Sequence, residues 1–360
     1  MTMTSDKKRQ ILAILTLIVP ICLLLSTSLY AAFQLRHADR LEVIDKGKLL
    51  YLEGDVTLQS GDRKITSQRS LWNKRSGILE FVGNVCLKEP DLVLSAEKLI
   101  YNEQTEEGEA YDNITVKTPT VYGMGGKGIY LGKDSLVYII EDPSLFYYDT
   151  VTNEVTELCG DTIFIFLSDS TVRAGGNTRG QRNDAEGNLV LSWFSRQSYF
   201  FPNGDSVRLE DSVFLDIDTL FATTDTFHYS ETNGEFVMMG DCRIWQRYTS
   251  LRGKEVRGKI WEDTLRSVAF PSGISGEFPV DSLYPSRLSE FRARWARFSF
   301  QKGRVDRAIF RDDVSLYYLP EPTEESLREK NLVFADSSYA FFTVGEMDSI
   351  YLWVNVDGAY

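Results

Sequence analysis

Side chains able to do covalent, acid–base or metal chemistry are few in this chain of 360 residues. Its two histidines, His37 and His228, stand far apart, so no histidine pair has the spacing of a metal site, and no Ser-His or Cys-His elbow motif is present. The four cysteines are Cys22, Cys86, Cys159 and Cys242, and the last three are separated by 73 and 83 residues. No metal-ligand spacing matches those separations, which read as free buried thiols with at most one bridge. The acidic pair Asp312-Asp313 falls where a turn is expected. Gly123 to Gly128 (GMGGKG) lacks the Lys-Ser/Thr ending and the following helix of a phosphate loop. The reading is therefore of a non-enzymatic protein, with no catalytic residue, no metal and no cofactor assigned.

The elements around these residues say more. Residues 11–33 (ILAILTLIVPICLLLSTSLYAAF) form one uncharged run of 23 residues preceded by Lys7, Lys8 and Arg9. At about 1.5 Å of rise per residue, such a helix crosses a hydrocarbon core of about 30 Å. The basic flank places residues 1–10 in the cytoplasm and the bulk of the chain outside it. Cleavage of the run as a signal segment is the alternative, with Ser26-Thr27-Ser28 as its best site. Residues 1–33 hold three bases and one acid, so a net charge of −13 overall leaves −15 on the remainder. An acidic body of that size is repelled at long range by nucleic acid and by anionic membrane surfaces.

From residue 49 onward the chain reads as short strands rich in β-formers and bounded by Gly, Asp and Asn. Helical periodicity is confined to Thr323–Lys330, a candidate capped helix, and to Ser286–Phe300, whose second half is assigned to strand because Phe298-x-Phe300 matches Phe227-x-Tyr229. A repeat underlies the strands. An aromatic residue is followed twelve positions later by a residue suited to turns: Trp72 by Asn84, Tyr101 by Asn113, Tyr130 by Asp142, and Phe164 by Gly176. The pattern continues with Tyr199 and Asp211, Tyr229 and Asp241, Trp261 and Gly273, and Phe300 and Asp312. Each unit of roughly 30 residues is expected to be a hairpin of two strands of about 8–10 residues. The polar turns fall near Asn73–Ser76, Glu103–Glu107 and Glu231–Gly234. One hairpin cannot bury its apolar face alone, so the copies must stack around a shared core. The expected fold is all-β, an extended twisted β-jelly roll preceded by one transmembrane α-helix.

The unit Ala96-Glu97-x-Leu99-x-Tyr101, then Gly108, then Asp112-Asn113-Ile114-Thr115-Val116 resembles the repeat of the OstA-like proteins of lipopolysaccharide transport. It recurs as Leu71-Trp72 with Gly83-Asn84-Val85-Cys86-Leu87, and as Phe227-x-Tyr229 with Gly240-Asp241. With a single N-terminal span, the arrangement is similar to the bitopic LptC-type members. The exported part is about twice as long as theirs. The expected organisation is a cytoplasmic N-terminus (1–10), an anchor (11–33), a juxtamembrane linker (34–48) and two OstA-like jelly-roll modules (49–180 and 189–360), with one continuous roll as the alternative. The polar stretch Arg173–Asn188 marks their boundary.

The resemblance implies a lipid-transfer protein of the inner membrane with its bulk in the periplasm. It would receive lipopolysaccharide from an inner-membrane ABC transporter and pass it to an LptA-like periplasmic bridge. Each methylene kept from water is worth about 0.8 kcal/mol, so acyl chains in transit need an apolar groove. Inward residues of the alternating strands are its expected lining: Val56, Leu58, Leu79, Phe81, Leu92, Leu94, Phe227 and Tyr229; the alternative for each is a place in a closed core, which alternation alone does not separate from a groove. The run Ile350–Val356 is expected to be an open edge strand, with Leu352, Val354 and Val356 receiving the bridge protein by strand addition. The alternative is a membrane-tethered structural or adhesive β-repeat protein without a lipid ligand.

Overall fold

The structure is a computed structural model that describes residues 32–149, 153–201, 206–217, 220–261, 264–279, 287–302, 304–319, 331–343 and 346–359. The expected span therefore lies almost wholly outside the described residues, as does the expected helix Thr323–Lys330. No helix among the described residues is long and apolar enough to cross a membrane.

Alternation of apolar and polar residues makes nearly every segment a strand. The described residues form 26 strands joined in one antiparallel sheet. The strands Leu49–Ser60, Arg63–Asn73, Ile78–Glu89, Leu92–Asn102 and Glu107–Lys117 follow one another as a meander, each paired with the next. They are 11 or 12 residues long rather than the 8–10 expected. The reason is a bulge in mid-strand. Register shifts fall between Glu53 and Val56, Val82 and Val85, and Tyr111 and Ile114. The residues there have positive φ: Gly54 and Asp55, Gly83 and Asn84, Asp112 and Asn113. Gly176 with Asn177, Asp211 with Ser212, and Asp312 with Asp313 repeat the feature further on.

Each bulge bends its strand sharply, because an inserted pair kinks a strand without ending its ladder. The sheet thereby folds along one long side into two facing layers. Layer A holds residues 49–53, 69–73, 78–82, 98–102 and 107–111 and their successors. Layer B holds residues 56–60, 63–67, 85–89, 92–96 and 114–117 and theirs. About twenty strand segments in each layer, at roughly 4.8 Å apiece, give a flattened roll about 90 Å long. The arrangement is all-β and consistent with a β-jelly roll.

This corrects the role of the repeat. Asn84, Asn113, Asp142, Gly176, Asp211, Gly273 and Asp312 all have positive φ, and Asp241 follows Gly240 at φ 110°. They form the bends. The hairpin turns lie on the opposite long side, at residues 74–77, 103–106 and 231–234, where the sequence also places them. Asn73 and Asn102 build the first two, each accepting two backbone N–H groups on its side-chain oxygen. Glycine at a bend is demanded by space as well as by φ. A Cβ on Gly240 would lie 2.0 Å from Oδ2 of Asp225. Gly240→Ala is expected to lower stability by about 2 kcal/mol, the strain of a forced backbone conformation. Gly175→Ala, whose Cβ would meet nothing within 4 Å, should leave the urea midpoint unchanged.

The strand ladder supports the continuous form of the two expected modules, and the expected linker is corrected. The stretch Arg173–Asn188 is largely the strand Val172–Asn183, paired on both edges, so the ladder runs through it without a break. One of its glycines is needed for packing: Trp193 lies so close over Gly180 that a Cβ there would fall 1.9 Å from the indole. The linker 34–48 consists mostly of strands, Gln34–His37 in layer B and Arg40–Ile44 in layer A, both paired to Leu49–Ser60. Phe33 ends the hydropathic run, yet it is buried in the roll, edge-on to Tyr101 at 5.5 Å. Ser286–Phe300 contains two strands, Leu288–Ala293 and Trp295–Gln301, as its second half predicted.

Candidate functional site

Between the layers runs one hydrophobic core, from Phe33 at the start to Ala340 near the end. The inward faces create it: Leu52, Val56, Leu58, Ile65, Leu79 and Phe81 are all fully buried. The expected lining residues are brought together here. Val56, Leu58, Leu79, Phe81 and Leu94 are 0% exposed, Leu92 2% and Phe227 3%. Tyr229 is half-buried, on the wall of a small cavity. Among the described residues the expected open trough is closed. Side chains of the two layers meet and fill the interior, and the cavity beside Tyr229 measures about 30 Å³, with a neighbour of about 10 Å³. That is space for about one water molecule, not for an acyl chain.

The two long sides of the roll are closed differently. On one side the bends join the layers covalently. On the other, the seam, the hairpin turns of the layers face each other and, among the described residues, only side chains bridge them. Two partly buried ionic clusters do so. In the first, Arg63 and Glu89 come from layer B and are joined at 2.5 Å. Arg63 also donates to Glu106 at 3.1 Å, to the hydroxyl of Tyr130 at 2.8 Å, and to that of Tyr101, all from layer A. Tyr130 donates in turn to Glu89 at 2.7 Å. In the second, Arg182 of layer B binds Glu154 at its own end, through Nε at 2.6 Å, and reaches across the seam to Glu231 in a layer A turn. Both arginine side chains are about 15% exposed.

Burial alone would lower the pKa of Arg63, but Tyr101, the carboxylate of Glu89 and Tyr130 together outweigh it and the guanidinium is held more firmly charged than usual. Burial pushes the hydroxyls of Tyr101 and Tyr130 up, so both remain donors. The second cluster is less balanced. Burial raises the pKa of Glu231 above its ordinary 4.5 despite the pull of Arg182. A carboxyl whose folded pKa is raised adds stability as pH falls through that value toward 4.5, and removes it again as pH rises. Glu231→Gln is expected to flatten the rise in melting temperature between neutral pH and pH 5 without lowering the melting temperature at pH 7. Thermal melts across that window check this, and Glu154 remains to partner Arg182.

No protein-family model matches this chain, and no curated protein is significantly similar to it. Solved structures do match. One is the crystal structure of LptH, the LptA homologous periplasmic component of the conserved lipopolysaccharide transport device from Pseudomonas aeruginosa. It is 17% identical, with 40% of this chain and 82% of that chain covered and a TM-score of 0.20. The fold stands on the strand pairings above rather than on that likeness.

The C-terminal edge differs in detail from the expectation. The strand Glu346–Trp353 is paired only with Asn331–Thr343 among the described residues, so layer A ends there in an open edge. Leu352 belongs to it and is half-buried. Val354 and Val356 do not: Val354 and Asn355 have φ of 64° and 51° and form another bend, after which Asp357–Ala359 pairs in layer B. Exposed apolar residues cluster at both ends, with Leu41 and Val43 at one and Phe334, Tyr351 and Trp353 at the other. The cysteines Cys86, Cys159 and Cys242 are free, and only Cys242 is buried.

The clusters at Arg63 and Arg182 escaped the sequence reading. Tyr101 and Tyr130 carried the available signal, since the repeat aligns them at a spacing of 29 and both face inward at the seam. Phe164 and Tyr199, assigned to the same frame, lie on the outer face of layer A, where Arg173 is stacked between them at 5.9 and 5.5 Å.

Proposed function

We propose that this chain is a non-enzymatic lipid-transfer protein of the cell envelope, of LptC type, anchored once in the inner membrane with its bulk in the periplasm. It receives lipopolysaccharide from an inner-membrane ABC transporter and passes it to an LptA-like bridge protein. One observation carries the reading: two apolar sheet faces are hinged along one side by bends and fastened along the other only by side chains. The filled interior is then the resting state. Loading parts the layers at the seam, and acyl chains take the place of contacts between Phe81, Leu94 and their neighbours while sugars and phosphates stay in water. With a net charge of −15 beyond the anchor, attachment rests on acyl burial rather than long-range attraction of phosphates.

The open edge at Glu346–Trp353 is the docking strand for the bridge protein. Leu352→Pro is expected to abolish capture of an LptA-like partner while the melting temperature shifts by only a few degrees; undiminished capture contradicts this mode. Val354→Pro is not a clean test, because proline cannot adopt φ near 64°.

The filled interior also favours a second reading, a membrane-tethered structural β-repeat protein with no lipid ligand. Co-purification separates the two. Full chain extracted gently from envelopes should carry lipopolysaccharide in about equimolar amount. Chain that carries only the bulk phospholipid of its membrane would favour the structural reading.

A further inference from the structure

The outer face of layer B differs from every other surface in the first half of the roll. From Gln34 to Phe146 the outward residues of this layer include four bases, Arg36, Lys64, Lys88 and Lys117, and no carboxylate; the first one is Glu157. All four bases are exposed, and among the described residues none makes an ion pair. Layer A shows the opposite habit, with Lys98 on Glu80 at 2.5 Å, Lys127 on Glu109 at 3.1 Å and Arg40 near Glu53. Lys64 and Lys88 stand directly opposite each other on neighbouring strands, a like-charge pairing that weakens a sheet.

The same register row runs on through Val93 and Lys117 to Tyr122 and Phe146, both half-buried. The adjacent row is small and uncharged, with Thr66, Cys86, Ser95 and Thr115. The acids nearest the face, Asp62, Asp91, Asp55, Glu97 and Asp112, stand in the turns and bends at its two margins and not on it. Bases beside aromatics on a carboxylate-free surface have the chemistry of a membrane interface. The chain's own apolar run, residues 11–33, leads straight into the first strand of this layer, Gln34–His37.

We infer that the first half of the roll lies with the outer face of layer B against an anionic lipid surface, with Lys64, Lys88 and Lys117 among the headgroup phosphates. The inference rests on charge complementarity and goes beyond the transfer function, since it fixes which side of the roll faces the bilayer. Each lysine at an anionic surface is worth about fivefold in partitioning, and the three together about a hundredfold.

The test presents the full chain with vesicles of phosphatidylcholine alone, or with about one-third phosphatidylglycerol, and reads lysine acetylation by mass spectrometry. Protection of Lys64, Lys88 and Lys117 by at least threefold is expected in anionic vesicles only, reversed by 0.5 M salt, with Lys98 and Lys127 unchanged. The uncharged apolar run contributes equally to both lipids, so its insertion does not affect the comparison. A second readout is alkylation of the outward Cys86 thiol: anionic vesicles should slow it in the parent chain but not in the variant Lys64→Gln/Lys88→Gln/Lys117→Gln. Equal acetylation in both vesicles overturns the inference. So does protection that persists in neutral lipid and in salt, which would mark a contact between copies of the chain.

Discussion

Arg63→Met is expected to loosen the seam and to lower stability by about 3 kcal/mol. Removing one member of a buried ion cluster leaves the others as uncompensated charge, which costs more than the intact cluster contributes. Glu89 and Glu106 are 19% and 25% exposed, so both would be stranded in poorly solvated positions. The hydroxyls of Tyr101 and Tyr130 would lose the group that aligns them. The effect should be local: faster hydrogen exchange in the seam ends of Leu92–Asn102 and Val121–Leu131, with the bends at Asn84 and Asn113 unchanged. Adding Glu89→Gln and Glu106→Gln should recover most of the lost stability, because neutral partners remove the stranded charge. A uniform loss of protection along the roll would show that the cluster supports the whole fold and is not a fastening of the seam.

Phe81→Ala should have a comparable effect with a different signature. Phe81 is fully buried between the layers, and deletion of such a ring costs about 3–5 kcal/mol from lost transfer energy and the cavity left behind. Apolar cavities of this kind stay dry and accept apolar guests. If the interior is built to exchange its own contacts for acyl chains, a saturated fatty acid should restore part of the loss. At a hundred times its Kd a guest returns about 2.7 kcal/mol. The parent chain, already filled at that point, should gain much less. Failure of the variant to respond to any chain length would mean that the interior repacks as a permanent core.

The all-β class and the hairpin turns were legible because alternation and the residues Asn73 and Asn102 act within a few positions of each other. The bends were visible as a spacing but not as a role. Gly83-Asn84 and Asp112-Asn113 would suit a hairpin turn equally well, since both structures require positive φ. Only pairing on both sides of the bulge distinguishes them, and pairing is not local. The stretch Arg173–Asn188 misled because a glycine-rich polar composition describes a linker and also a strand whose outer face is wet and whose inner face must admit Trp193. The frame failed at Phe164 and Tyr199 because a shift of one residue turns a side chain to the other face. The fastening at Arg63 left no mark in the sequence beyond the aligned Tyr101 and Tyr130. Its partners Glu89, Glu106 and Tyr130 lie 26, 43 and 67 residues away, and their meeting follows from the folding of one sheet onto itself.

The most direct measurement is photo-crosslinking from inside the roll. A photoreactive phenylalanine placed at Phe81 or Leu94 in the full chain, in envelopes that contain lipopolysaccharide, should yield a lipid adduct at both positions. The same probe at Val93, which neighbours Leu94 but faces outward, should not. Adducts only to protein at the two inner positions, with the chain folded and its partners present, would contradict the claim that the layers part to hold lipid.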